Sequence, residues 1–234
     1  MTALIEACGL SAGYGKGITI VPSLDLEIHA GEVVALLGAN GAGKTTTILT
    51  LAGELPALGG EIRWDGDPTT APLHWRARNG LALVTEERSV LMKMTVADNF
   101  RVARCDVEKA LTLFPELREH LGRKVGLLSG GQQQMLALAW TLARPTKVLL
   151  ADELSLGLAP LLVERLLRAV REAADMGIGV LLVEQHVHKA MEVADRAYVM
   201  QRGHITLSGK TGDLRQRINE IQDSYLSVMS ETTP

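Results

Sequence analysis

Aromatic residues are scarce in this chain: two Phe, three Trp and three Tyr among 234 residues. An aromatic in a polar, glycine-rich stretch therefore stands out. Cysteine is scarcer. Cys8 and Cys105 lie far apart and match no metal-ligand spacing, so they read as buried or incidental thiols of a reducing compartment. Positive charge is not in excess: the formal net charge of −3 leaves no basic footprint for nucleic acid. No apolar run approaches the ~18–20 residues that span a bilayer, and no charged-then-apolar start marks a signal peptide. The expectation is a soluble chain whose membrane role comes only through a partner. Internal repeats and low-complexity segments are also missing. What is present is a hydrophobic content of 47%, which excludes a disordered protein. The length suits one large α/β domain, or a core with a subdomain.

The chain is organised around Gly38-Ala39-Asn40-Gly41-Ala42-Gly43-Lys44-Thr45-Thr46, which fits G-x-x-x-x-G-K-[ST] at every fixed position. Residues 32–37 before it form a short apolar run with strand character. Residues 45–52 after it hold no Gly or Pro and read as a helix. Strand, glycine loop and helix together make a phosphate site. The glycines let backbone N–H groups face a polyphosphate, and the helix start adds its dipole. Lys44 is expected to reach the terminal phosphates, Thr45 to ligate Mg2+ and Thr46 to donate to an inner phosphate.

Around this loop the pattern alternates between strands and helices. Residues 2–10 and 24–28 read as antiparallel strands, and Tyr14 sits in the glycine loop between them, placed to stack on a base. Residues 59–66 read as a turn and short strand, 73–79 as a short helix, and 81–84 as an apolar strand running into Thr85 and Glu86. Thr95 caps a helical pattern that extends to Leu121 without a strand, so a helical subdomain is inserted in an α/β core. Ser129 caps a helix running to Arg144 and stopped by Pro145. Gly130 and Gly131 in its first turn make sense where something approaches the backbone closely, and bare amides there suit an anion. Residues 148–153 read as a buried parallel strand ending in two acids, the end at which ligands gather. Alternation sends the two carboxylates to opposite sides, so Asp152 is a candidate for Mg2+ and Glu153 for polarising a water. A helix over 159–176 and a strand over 179–183 follow, with His186 just past that strand. Residues 197–208 form a closing hairpin, and 218–229 a terminal helix.

These motifs resemble, in order and at family spacing, the nucleotide-binding subunit of an ABC transporter over nearly the whole chain. Residues 128–132 read LSGGQ, residues 148–153 match the second acidic motif with its catalytic glutamate, and residues 155–160 lie where that family's D-loop lies. GANGAGKTT at 38–46, LSGGQQQML at 128–136, SLGLAP at 155–160, LVEQ at 182–185, Met94-Thr95-Val96 and Ser224-Tyr225-Leu226 are similar to branched-chain amino acid importer ATPases and their urea or amide relatives. Glu86, where most of the family carries glutamine, fits the same subgroup. Thr85, Glu87, Leu154 and a short helical insert depart from it.

The resemblance implies an α/β P-loop NTPase fold of the ABC type, with an N-terminal antiparallel β subdomain and an inserted α-helical one. Residues 1–85 and 146–234 would form the core, and 86–145 the helical signature subdomain. It implies ATP and Mg2+ as cofactors, Glu153 and His186 as catalytic residues, and Thr45, Asp152 and Glu86 at the metal. Ser129, Gly130, Gly131 and Gln132 would cap the nucleotide of a second ATPase subunit. Further partners would be membrane permease subunits and an external solute-binding protein, not nucleic acid, at the cytoplasmic face of the membrane. Urea or amide import, export, or a soluble ABC ATPase acting on nucleic acid or ribosomes are the alternatives.

Overall fold

The structure, a computed structural model, describes residues 2–15, 17–85 and 89–217. Glu86, Glu87, the 218–229 helix and Ser224-Tyr225-Leu226 lie outside them. The amino-terminal part is antiparallel. Strand β1 (Ile5–Gly13) pairs with β2 (Thr19–Val21), β3 (Leu26–Ile28) and β5 (Gly59–Trp64), and β5 pairs with β6 (Asp67–Pro68). The second sheet holds β4 (Val33–Leu37), β7 (Leu81–Val84), β8 (Val148–Asp152), β9 (Gly179–Glu184), β10 (Arg196–Gln201) and β11 (His204–Lys210). Its order is β11-β10-β4-β9-β8-β7, parallel throughout except for the edge hairpin β10–β11.

The central strands read as unbroken apolar runs because both of their faces are covered. Val33, Ala35 and Leu37 of β4 enter one core, while Val34 and Leu36 enter another. Strand β9 divides the same way, with Val180 and Leu182 on one side and Leu181 and Val183 on the other. The period of two thus feeds two cores from each strand. Helix α1 (Lys44–Ala52) shares its core with the antiparallel sheet; α6 (Pro160–Asp175) and α7 (Val187–Val193) cover the opposite face. Helix α2 (Leu73–Arg78) precedes β7, and the short α8 (Thr211–Leu214) follows β11.

The stretch read as one helical pattern to Leu121 is three pieces. Helix α3 (Val96–Ala103) is capped by Thr95 Oγ1, which accepts from Asp98 N at 3.1 Å, and it stops where Arg104 turns left-handed at φ 51. Helix α4 (Val107–Leu113) ends before Pro115, which opens a 3-10 segment to His120. Helix α5 (Gly130–Leu142) ends two residues before Arg144. Both phenylalanines of the chain, Phe100 and Phe114, are fully buried here. They belong to the core that also receives one face of β4, β8 and β9, so the helical segment packs onto the sheet through a shared interior. Cys8 and Cys105 are free and half-buried.

Candidate functional site: a phosphate loop at the carboxyl end of the parallel sheet

Strand β4 ends at Leu37 and α1 begins at Lys44, so residues 38–43 form the turn between them. Gly43 immediately before α1 has φ 109, a conformation that L side chains rarely adopt. The nine-residue helix has no side-chain cap and no acid in its first turn. Its first amides and the positive end of its dipole therefore face the loop with no side chain of the helix start to answer them. Lys44 is 4% exposed and folds back over the loop. Its ammonium donates to Gly38 O at 2.9 Å and Ala39 O at 3.2 Å, and lies 3.5 Å from Glu153 Oε1.

Tyr14 comes to the same place from the antiparallel sheet. Its ring is half exposed, and its hydroxyl accepts from Thr46 Oγ1 at 3.4 Å. Tyr14, Asn40, Gly41, Gly43, Lys44, Thr45, Thr46 and Glu153 line one open cavity of about 290 Å³. A ring, a glycine loop with an inward cation, two hydroxyls and a carboxylate form a lining that suits a nucleotide polyphosphate.

Asp152 and Glu153 separate, lining different cavities. Asp152 is the last residue of β8, while Glu153 has φ 49 and leaves the ladder. Asp152 is buried and lines, with Thr45, Thr85 and Trp140, a larger cleft of about 900 Å³ between α1, β7, α3 and α5. Thr45 lines both cavities, so a hydroxyl and a carboxylate flank one edge of the loop. Such hard oxygen donors fit Mg2+, which needs few protein ligands when phosphates supply others.

Two sets of expected residues lie apart from this cleft. His186, exposed, begins α7 and lines a third cavity with Ser155, Leu158 and Pro160. Ser129 to Gln132 open α5 and line neither cavity at the loop. There Ser129 Oγ accepts from Gln132 N at 3.2 Å, and Gln132 Oε1 accepts from Ser129 N at 2.9 Å, a complete capping box. The close approach that calls for glycine is internal at one position. A Cβ on Gly131 would meet Leu162 Cδ2 at 1.6 Å, so Gly131 lets α5 pack on α6.

Sequence reasoning missed Glu184 and Gln185 as parts of the site. Glu184 is 2% exposed and accepts from Ser155 N at 3.1 Å and Ser155 Oγ at 2.6 Å. Burial pushes its carboxyl above the usual range, against the two Ser155 bonds that lower it. Gln185 Nε2 donates to Glu153 Oε1 at 3.3 Å and to Asn40 Oδ1. The available signal was an acid closing an otherwise apolar strand.

The family described as ABC transporter matches residues 21–155, more than half of the chain. This chain belongs to that family. Among its relatives, the high-affinity branched-chain amino acid transport ATP-binding protein BraG of Pseudomonas aeruginosa is 37% identical over 227 residues, covering 93% of this chain and 97% of BraG. The probable branched-chain amino acid transport ATP-binding protein LivF of Archaeoglobus fulgidus is 34% identical, covering 90% and 94%. The lipopolysaccharide export system ATP-binding protein LptB of Escherichia coli is also 34% identical, covering 92% and 93%. The ADP conformation of MJ1267, an ATP-binding cassette of an ABC transporter, superposes at a TM-score of 0.86 with 22% identity, over 97% of this chain and 99% of that one. The dimeric post-hydrolysis state of the cassette MJ0796, bound to ADP and Pi, superposes at 0.78 with 21% identity, over 88% and 98%. The fold is thus that of an ABC cassette, and the chain is an ATP-binding subunit of an ABC transporter.

Proposed function

We propose that this ABC subunit hydrolyses ATP to drive a membrane permease that imports branched-chain or related amino acids. The observation that carries the ATPase reading is the meeting of Lys44, Glu153 and Tyr14 at one phosphate loop, with Lys44 Nζ 3.5 Å from Glu153 Oε1. Loop amides and Lys44 bind the phosphates, Tyr14 stacks on the base, and Thr45 with Asp152 would hold Mg2+. The metal, when bound, neutralises charge on the phosphate oxygens. The resemblance assigns Glu86, outside the described residues, to the same metal. Glu153 takes a proton from the attacking water, with Gln185 setting its carboxylate. Lys44 leaves the carboxylate as phosphate competes for the ammonium, which frees Glu153 to act as base. Most of the rate enhancement comes from positioning and charge.

His186 and residues 129–132 lie outside the loop cleft, so their proposed roles require a second ATPase subunit. That subunit presents its Ser129, Gly130, Gly131 and Gln132 to this nucleotide, and closure brings His186 toward the phosphate end. ATP favours the closed pair and hydrolysis releases it. The described residues hold no helix long and apolar enough to cross a membrane. In this reading the permease supplies the spans and the subunit sits on its cytoplasmic face, as the family resemblance implies. An external solute-binding protein delivers the cargo.

Similarity to BraG and LivF supports amino acid import, and that to LptB supports export as the second reading. Uptake of labelled leucine, urea and short amides, in cells lacking this chain or carrying Lys44→Ala, tests the choice. Loss of leucine uptake in both is expected. Unchanged uptake with loss of efflux of another compound would reverse the direction.

A further inference from the structure

The carboxyl ends of β4, β9 and β8 lie side by side, which places the end of β9 between the phosphate loop and Glu153. Three consecutive positions, the last two of β9 and the residue after it, reach the turn that carries this acid. Val183 O accepts from Glu153 N at 2.9 Å. Glu184 accepts from both the N–H and the hydroxyl of Ser155. Gln185 Nε2 donates to Glu153 Oε1 and to Asn40 Oδ1 of the loop.

Glu153 needs such a frame. Its φ of 49 is left-handed. For a non-glycine residue that conformation costs on the order of 1–3 kcal/mol and persists only where its surroundings over-determine it. Strand β9 gains nothing from a carboxyl at 184. Its ladder is made by backbone groups, its neighbours at 180–183 are apolar, and a buried acid costs free energy. The carboxyl serves the Ser155 turn instead. At 185 the amide bonds both loop residue Asn40 and Glu153.

We propose that Glu184 and Gln185 are positioning residues for hydrolysis. Glu184 fixes the backbone turn of Glu153 through Ser155. Gln185 holds the Glu153 carboxylate in register with the phosphate loop through Asn40. This rests on Glu153 being the base, as proposed above.

The test is steady-state hydrolysis by the purified full-length chain, with fluorescent-ATP titration and Tm on the same preparations. Gln185→Leu and Glu184→Ala should lower kcat by about 10- to 100-fold, the scale of a group displaced by roughly 1 Å. Nucleotide affinity should stay within about twofold, because neither side chain supplies a phosphate ligand. Glu184→Gln should restore most of the rate, since its oxygen can accept from Ser155 N while its amide donates to Ser155 Oγ. Gln185→Glu should be as slow as Gln185→Leu, because like charges meet at Glu153. Should Glu184→Ala fail to fold, Ser155→Ala, which removes one of the two bonds, should still lower kcat with affinity kept. Wild-type kcat in Gln185→Leu and Ser155→Ala would overturn the inference, as would loss of Tm and affinity with kcat unchanged. Glu153→Gln, run alongside, separates the two ideas. If it hydrolyses normally, the base assignment falls; if it is inactive while the others are normal, only the positioning roles fall.

Discussion

Helix α1 starts at Gly43 with no side-chain cap and no acid in its first turn, whereas α5 starts at Ser129 with a complete capping box. Both starts are rich in glycine, but the glycines serve different ends. At α1, Gly43 adopts φ 109 and the loop closes around the Lys44 ammonium. At α5, Gly131 makes room for Leu162 of the same chain. One helix end is thus left open for an anion, next to its own cation. The other is largely finished by its own side chains and sits away from the loop. A helix start binds an anion unaided where the chain leaves its amides unanswered. We propose a division of labour in which α1 binds its own nucleotide and α5, whose cap is already made, only closes over the nucleotide held by a second subunit.

The comparison breaks most severely at Lys44. Among the described residues Lys44 supplies the one ammonium that lines the loop cavity, so with Lys44→Ala ATP affinity should fall on the order of 100-fold, the worth of one or two charge-assisted bonds. Titration with fluorescent ATP measures this; affinity within about twofold of wild type would remove Lys44 from the phosphate cradle.

At α5 the expected effects are on stability and pairing rather than on nucleotide binding by one subunit. Gly131→Ala puts a methyl on the end of the half-buried Leu162 side chain, which must turn aside; with alanine favouring the helix, the net loss should be under about 1 kcal/mol. Thermal unfolding should show the drop, and Leu162→Ala in the same chain should recover part of it. No recovery would mean that Gly131 is required for another reason. Ser129→Ala removes the cap and should cost about 1 kcal/mol. Nucleotide affinity of the single subunit should not change, while ATP-driven pairing should weaken. Equal loss of single-subunit affinity would place Ser129 at its own nucleotide and erase the contrast.

The open helix start was legible in sequence because everything that defines it is local: an apolar strand, a turn motif and a helix within 21 residues. The buried strands were legible for the same reason, each being a short apolar run. The Ser129 cap was also local. What escaped depends on distant neighbours. Gly131 suggested a close approach, but only the packing of α6 shows that Leu162 makes it. Glu184 reads as a strand-end acid until Ser155, 29 residues away, is seen to bond it. Alternation was expected to part Asp152 from Glu153; the two line different cavities, and the left-handed φ of Glu153 just past β8 was not legible in the sequence. The break at Arg104 lacked the usual glycine, so the helical pattern seemed continuous through it.

The central claim is that one subunit's loop and the other's α5 start enclose the nucleotide that Glu153 helps to hydrolyse. Gel filtration of Glu153→Gln with and without Mg·ATP, paired with phosphate release, tests it most directly. The variant should run as a monomer without nucleotide, as a dimer with it, and release no phosphate, because an amide orients the water but accepts no proton from it. A Glu153→Gln chain that stays monomeric in Mg·ATP, or releases phosphate at the wild-type rate, would contradict it.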